Sequence, residues 1–333
     1  MTCKIFLPED WMYGDATAYY VDIIAEAMKR KGFVVEQIKS SECISQNDIV
    51  VTVASYNVSE VRKKHPLKII NWFQGIAAEE SFLFSLSNKS LFLRFKAYLL
   101  HTLSDYRALK YCDFNFFVSD RMRLFYRHKH FYYRNNFYLM PCFNQKLNRA
   151  AFSEIKYSHP SFVYAGSMDG WQCFEKTVKL FMQIKNRIPN ATFTVLTAAQ
   201  DRAKEILTKY GVDAELKYVH YTKVDEELRK FKYGFIVRDN NIVNNVATPT
   251  KMNSYLANGI IPIFTNVVGA FKENIAKLNY AVPLTTNNEG IEKLFEIERD
   301  KFDSSSVYDE YSGVFATYYS KEKYIEEISN IEF

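Results

Sequence analysis

Residues 237–265 read VRDNNIVNNVATPTKMNSYLANGIIPIFT. YGFIVR, which runs into this stretch, and GIIPIFT, which closes it, both have the apolar content of buried strands. Between them lies a segment of Asn, Thr and Ala that leads to Lys251. Thr248 is a good N-cap, and Pro249 suits a first helical turn. Met252, Tyr255 and Leu256 follow at i, i+3 and i+4, and Gly259 is a C-terminal stop. The pattern predicts a helix over about 249–258 with Lys251 in its first turn. A helix N-terminus carries roughly half a positive charge and unpaired N–H groups, so a lysine there is unfavourable unless an anion faces it. No Asp or Glu occurs from Asn240 through Lys272, where the chain's average acidic content would place about four. Arg238, at the carboxyl end of the preceding strand, points to the same crevice, where doubly wound sheets bind ligands. A diphosphate would satisfy the helix amides, Thr248 or Thr250, Lys251 and Arg238 together. The alternative is a solvated Lys251 and an Arg238 paired with Asp239.

Working outward, the pattern is α/β throughout. CKIFLP, FVVEQI, DIVVTVA, LKIINWF, DFNFFVS and NFYLMP read as strands. A helix after Asp15, a plausible cap, carries Tyr20, Ile23, Ile24 and Ala27 on one face and stops at Gly32. Near residue 155 the series restarts. SFVYAG, ATFTVLT, AELKYV, YGFIVR, IIPIFT and YAVPLT are its strands, with a helix from Phe174 to Arg187. Two successive series in 333 residues predict two doubly wound, Rossmann-like domains. Their expected extents are 1–155 and 156–308, with a helical tail over 309–333 packing back on the first.

The composition, 48% hydrophobic and 24% charged, is that of a globular protein. The five cysteines form no CxxC pair and no zinc spacing, which predicts reduced thiols in a cytoplasm. MTCKIFLPEDW reads as a strand start and predicts no signal peptide, and no apolar stretch is long enough to span a membrane. Residues 89–134 hold ten Lys/Arg against three Asp, interleaved with Phe, Tyr and Leu. This surface suits anionic lipid or a polyprenyl-phosphate carrier at the inner face of the cell membrane; the alternative is a solvated basic face over core aromatics. Nucleic-acid binding would need a broad cationic surface or a recognisable module, and a net charge of +5 supplies neither. A dehydrogenase would need GxGxxG after a strand.

Residues 237–265 resemble the donor-site segment of the GT-B glycosyltransferases, the large retaining class that builds bacterial surface polysaccharides. The likeness rests on the Arg-Asp pair, the Asn-Val-Ala run, the Pro-Thr-Lys helix start and GIIPIFT in place of a GxPVI strand. FVYAGSMDGWQCFEKTVKLFMQI resembles the opening of that family's C-terminal domain, and NFFVSDRMRLFY and FYLMPCFN the end of its N-terminal domain. The resemblance implies a GT-B fold and transfer of a sugar from a UDP- or GDP-linked donor to a glycan or polyprenyl-linked acceptor, with retention, in capsule or O-antigen synthesis. Neither a cofactor nor a metal is expected. Arg238 and Lys251 would stabilise the leaving diphosphate. Gly166 and Ser167 would offer backbone N–H groups to it, and Tyr218 and His220 would meet the base. The chain departs from the family's Glu-x7-Glu pair, with Val246 and Ser254 at those positions. Asn244 and Asn245 would stand in at the sugar and Ser254 at the ribose. Trp171 and Gln172 follow the Gly166 turn, and the Trp171 indole would cover the nucleotide or staple the helix start. On the acceptor side the expected residues are Gly14, Asp15, Gln74 and Gly75, with Asp15 the one carboxylate placed as a base. A sugar-nucleotide epimerase or phosphorylase on the same plan is the competing enzyme, and a basic nucleic-acid-binding protein the non-enzymatic one.

Overall fold

The structure is a computed structural model that describes residues 1–8, 14–83, 90–285, 287–300 and 303–333, without the side chain of Asp15. It contains two six-stranded sheets, every strand pair parallel. The first holds β1 (Thr2–Phe6), β2 (Val34–Ile38), β3 (Ile49–Thr52), β4 (Lys68–Phe73), β5 (Phe114–Phe117) and β6 (Phe137–Leu139) in the order β2-β1-β3-β4-β5-β6. The second holds β7 (Ser161–Ala165), β8 (Thr192–Leu196), β9 (Glu215–Lys217), β10 (Tyr233–Ile236), β11 (Ile261–Thr265) and β12 (Val282–Leu284) in the order β12-β11-β10-β7-β8-β9. Each lies where an apolar run was read. The physical reason is that a parallel strand covered on both faces is apolar along its length, and β3, β5, β10 and β11 are buried at every position.

The Asp15–Arg30 helix buries Tyr20, Ile23, Ile24 and Ala27, and Tyr20 stacks on Trp72 of β4 at 3.6 Å. The helix cap is Gly14, so Asp15 is the first helical residue and not the cap. In the second sheet Phe162 stacks on Tyr233 and Phe235, and Phe181 of the Phe174–Arg187 helix stacks on Phe193. Gly234 of β10 lets Tyr255 of the Thr250–Ala257 helix lie directly on the strand: a Cβ there would sit 2.4 Å from the Tyr255 ring and 2.8 Å from Ile260. Both neighbours are fully buried. We therefore expect Gly234→Ala to destabilise the fold by about 1–3 kcal/mol through overpacking. A urea melt checks this, and an unchanged midpoint would show that the helix shifts freely.

Contacts divide the chain into one unit of Met1–Asn144, Val246–Thr248 and Tyr319–Phe333, and another of Gln145–Asn245 and Pro249–Tyr318. This division differs from the sequence boundaries at 155/156 and 308/309. The Ser304–Thr317 helix belongs to the second unit, where Tyr311 donates to the carbonyls of Ile260 and Tyr280. The Lys321–Ser329 helix belongs to the first, where Lys31 donates to the carbonyls of Ser329 and Ile331 and Arg30 pairs with Glu322 at 2.7 Å. Thr248 is not the cap of the Thr250–Ala257 helix. Pro249 takes that position, and the Thr248 hydroxyl accepts from the Cys142 N–H at 3.0 Å.

Of the basic 89–134 segment, Lys89 lies outside the described residues; the remainder forms mainly the Leu91–Tyr111 and Asp120–His130 helices. Asp105, the one acid in the first of these, is buried and accepts from Ser55 at 2.6 Å and Tyr126 at 3.3 Å. Phe92, Phe95, Leu99, Leu103 and Tyr106, spaced to share one helix face, are exposed, as are Lys96, Arg107 and Lys110. No helix among the described residues is long and apolar enough to cross a membrane.

Candidate functional site

Strand order in the second sheet places the candidate site. From β7 the chain winds outward through β8 and β9, then returns to the other side of β7 for β10, β11 and β12. The order reverses between β7 and β10, which pair Phe162 with Tyr233 and Val163 with Gly234. Such a switch point opens a crevice outside the carboxyl ends of the two strands. Gly166 and Ser167 leave β7 there, Arg238 leaves β10, and the Thr250–Ala257 helix starts nearby.

Arg238 is 6% exposed. Its Nη1 donates to the Trp171 carbonyl at 2.8 Å, and its Nε has no partner among the described residues. Burial pushes its guanidinium below the usual arginine range. The Lys251 ammonium donates to Gln172 Oε1 at 3.0 Å and lies 4.8 Å from the centre of the Tyr164 ring. Burial, then the nearby Arg238 guanidinium, holds it well below the usual lysine range. Among the described residues neither cation meets a carboxylate. Asp239, the natural candidate beside Arg238, pairs with Lys176 instead. Arg238 is buried and Lys251 half-buried, and cations withdrawn from water without a counter-ion are costly.

Gly166 belongs to this arrangement for a different reason from the one expected. Its N–H is already given to the Leu196 carbonyl at 3.0 Å, so it is not available to a ligand. What matters is the missing side chain: a Cβ would lie 2.8 Å from Lys251 Nζ, and the backbone φ is +152°. The Ser167 hydroxyl donates to Asp169, and the Ser167 carbonyl accepts from Tyr164.

Beside Lys251 opens a cavity of about 550 Å³. Gly166, Ser167, Thr250, Lys251 and Ser254 line one part of it; Tyr218, Val219, His220, Tyr221, Val224 and Leu228 line another. Tyr218 is exposed, and the His220 ring lies tilted against Tyr221 with centroids 4.5 Å apart, while its Nδ1 lies 2.9 Å from the Thr222 hydroxyl. Asn244 and Asn245 do not line the cavity. Asn244 Nδ2 donates to the Asp239 carbonyl, and Asn245 Nδ2 to the Val267 carbonyl and Asn240 Oδ1. They shape the turn that follows Arg238. Sequence reasoning did not find Tyr164 beneath Lys251; the alternation of β7 toward Gly166 carried that signal only faintly. It quoted Gln172 without a role, which the bond to Lys251 now supplies.

In the first unit, Gln74 and Gly75 follow β4. Gln74 accepts from the Thr17 hydroxyl at 3.0 Å and donates to the Val53 carbonyl at 2.8 Å. Gly75 leaves room for Glu80, whose Oε1 would lie 2.2 Å from an added Cβ. The Gly14 carbonyl accepts from Thr17 and Ala18. The Asp15 side chain, read as a helix cap with a base as the alternative, lies outside the described part of the structure. Among the described residues no group of three or more His, Cys, Asp and Glu could hold a metal ion.

No protein-family model and no curated protein matches the sequence. Solved structures do match. A glycosyltransferase from Rickettsia africae ESF-5 aligns at TM-score 0.65 and 12% identity over 98% of this chain and 96% of its own. WaaG, a glycosyltransferase involved in lipopolysaccharide biosynthesis, aligns at 0.60 and 12% over 99% and 100%. A mutant of S. aureus TarM in complex with fondaparinux, alpha-GlcNAc-glycerol and UDP aligns at 0.63 and 7% over 87% of this chain. The chain has the GT-B fold. It spans 57% of the length of that TarM chain and 56% of a second one. Within the GT-B plan the cation pair and the cavity belong to the second Rossmann-like sheet, and Gln74 and Gly75 to the first.

Proposed function

We propose that the chain is a glycosyltransferase that moves a sugar from a nucleoside-diphosphate donor to a hydroxyl of a glycan or lipid-linked acceptor. The observation that carries this reading is the pair of buried Arg238 and half-buried Lys251, without a carboxylate among the described residues, at the switch point of the second sheet. The adjoining cavity has room for a nucleoside, with Tyr218, His220 and Tyr221 as faces for a base. In the reaction the bond between the anomeric carbon and the diphosphate oxygen breaks, and its electron pair goes to the diphosphate. Lys251 and Arg238 take up that charge in a site already shaped for it. The acceptor hydroxyl adds to the anomeric carbon from the face the diphosphate leaves. Its proton passes to a donor phosphate oxygen, so configuration is retained without a protein nucleophile or a metal. UDP in the TarM complex favours a uridine donor over a guanosine one, and the part WaaG plays in lipopolysaccharide biosynthesis supports an acceptor of the surface-polysaccharide kind. An epimerase would need acid–base carboxylates, and the residues lining the cavity include none.

The test is a thermal-shift panel of UDP, GDP, ADP and CDP in the presence of a chelator, followed by turnover with the winner's sugar conjugates. One diphosphate is expected to stabilise the protein by about 2.7 kcal/mol at a hundred times its Kd. If all four leave Tm unchanged, the reading fails.

The exposed stripe Phe92, Phe95, Leu99, Leu103 and Tyr106, flanked by Lys96, Arg107 and Lys110, is placed on an anionic bilayer surface. The support is that the sole acid of that helix, Asp105, is turned inward, so its exposed charge is all positive. Sedimentation with phosphatidylglycerol vesicles is expected to carry the protein down, and a Phe92→Ser, Phe95→Ser double variant to leave most of it in solution. Equal sedimentation with neutral phosphatidylcholine vesicles, or none with either, would remove this placement.

A further inference from the structure

The cavity's polar groups are unevenly distributed. Its cationic end is Lys251, and its aromatic end is Tyr218, His220 and Tyr221. In a nucleoside diphosphate the ribose lies between phosphate and base, so it must pass the wall that joins these two ends. On the Thr250–Ala257 helix that wall is Ser254, three residues and therefore about one turn beyond Lys251. The Ser254 hydroxyl has no hydrogen-bond partner among the described residues. Thr197, on the opposite strand end, has its hydroxyl engaged by the Ala199 N–H at 3.2 Å. The rest of this stretch is Leu196, Ala198, Ala199, Val224 and Leu228.

A ribose diol is normally fixed by a carboxylate, which accepts from its hydroxyls. The acids around this cavity are turned elsewhere. Asp169 accepts from Ser167, Asp225 from Asn258 at 2.9 Å, and Glu226 pairs with Lys223 at 3.2 Å. Glu227 pairs with Lys217 and Lys230. A site that hydrogen-bonds a substrate hydroxyl through a dedicated buried group rejects the analogue lacking it by orders of magnitude; a site without such a group does not.

Resting on the nucleotide-sugar reading, we infer that this pocket holds the diphosphate and the base but does not read the ribose 2′-hydroxyl, so that 2′-deoxynucleoside diphosphates bind about as well as their ribo counterparts. Ser254 sets this tolerance. One neutral hydroxyl supplies at most one ordinary hydrogen bond to the sugar, a factor of about ten or less.

Calorimetric titration with the matched pairs UDP/dUDP, GDP/dGDP, ADP/dADP and CDP/dCDP tests it. For the base that binds, the two Kd values are expected to lie within about tenfold of each other. Ser254→Ala is expected to keep that ratio within about threefold of the wild-type ratio, because little is lost with a hydroxyl that reads the ribose weakly. Ser254→Glu is expected to shift the ratio more than about tenfold toward the ribonucleotide, because a carboxylate then accepts from the diol. A deoxy form bound more than tenfold weaker by the wild type overturns the inference while leaving the nucleotide reading intact. An unshifted ratio in Ser254→Glu overturns the placement of the ribose at this helix turn. Failure of every pair to bind removes the nucleotide reading itself and this inference with it.

Discussion

In Lys251→Ala, turnover of the nucleotide sugar is expected to fall by about a hundred- to a thousandfold, the range for losing one preorganised donor to a developing anion. The same variant, without ligand, is expected to melt at or above the wild-type temperature. The reason is electrostatic. The ammonium sits at a helix N-terminus, half-buried and close to the buried Arg238, and among the described residues it meets Gln172 Oε1 and the Tyr164 ring. Removing it relieves a like-charge repulsion and a desolvation cost that no carboxylate among the described residues offsets. The protonation of Lys251 gives a second readout. Burial and Arg238 depress its pKa in the free protein, and a diphosphate placed beside it favours the charged form and raises that pKa. Between the two values binding takes up a proton, so wild-type affinity falls as pH rises through that window. Calorimetry in two buffers of different ionisation heat is expected to show this uptake in the wild type and its loss in Lys251→Ala. Normal turnover in the variant, or a Tm several degrees lower, would show that the ammonium is a structural element and not a ligand for the leaving group.

Gly166→Ala is expected to produce the next largest effect, in both stability and binding. The added Cβ lies 2.8 Å from Lys251 Nζ, and φ of +152° is unfavourable for any side chain. A cost of about 1–3 kcal/mol in stability follows from the backbone alone. Diphosphate affinity falls as well, because Nζ must leave Gln172 Oε1 to make room. The two causes separate in a double-mutant cycle. With Lys251 already replaced by Ala, the second substitution is expected to keep its backbone cost and to lose its effect on binding, a non-additivity diagnostic of direct contact. If Gly166→Ala binds the diphosphate as tightly as the wild type, the close approach of Lys251 to the β7 turn has no part in the site.

The reading of elements from sequence went furthest where the causes are local. The strands stand on apolar runs because both faces of each sheet are covered, and the extent of the Phe174–Arg187 helix was legible in outline because a 3.6-residue apolar period stops before Pro189. The misses concern groups with more than one available partner. Thr248 has the chemistry of a cap, but its hydroxyl is used by the Cys142 N–H, more than a hundred residues away in sequence. Gly166 lies at the expected turn, yet its N–H belongs to Leu196 on the neighbouring strand. Asn244 and Asn245, read as sugar contacts, hold their own turn and reach Val267. A short polar side chain can satisfy several local and distant groups almost equally well, and its own neighbourhood in sequence does not state which one it meets.

By itself the amino-acid sequence determined the twelve strands, the helix that carries Lys251, and the anomaly of two cations in a stretch without acids, because period, turn residues and charge are properties of neighbouring positions. Only the tertiary structure decided that β10 returns beside β7, that Arg238 is buried under Trp171, and that Lys251 lies between Gln172 and Tyr164. Those pairings join residues about 70 or more positions apart. Their energy comes from the covering of both sheet faces and from the exclusion of water around the pair, quantities that exist only once the chain has closed on itself.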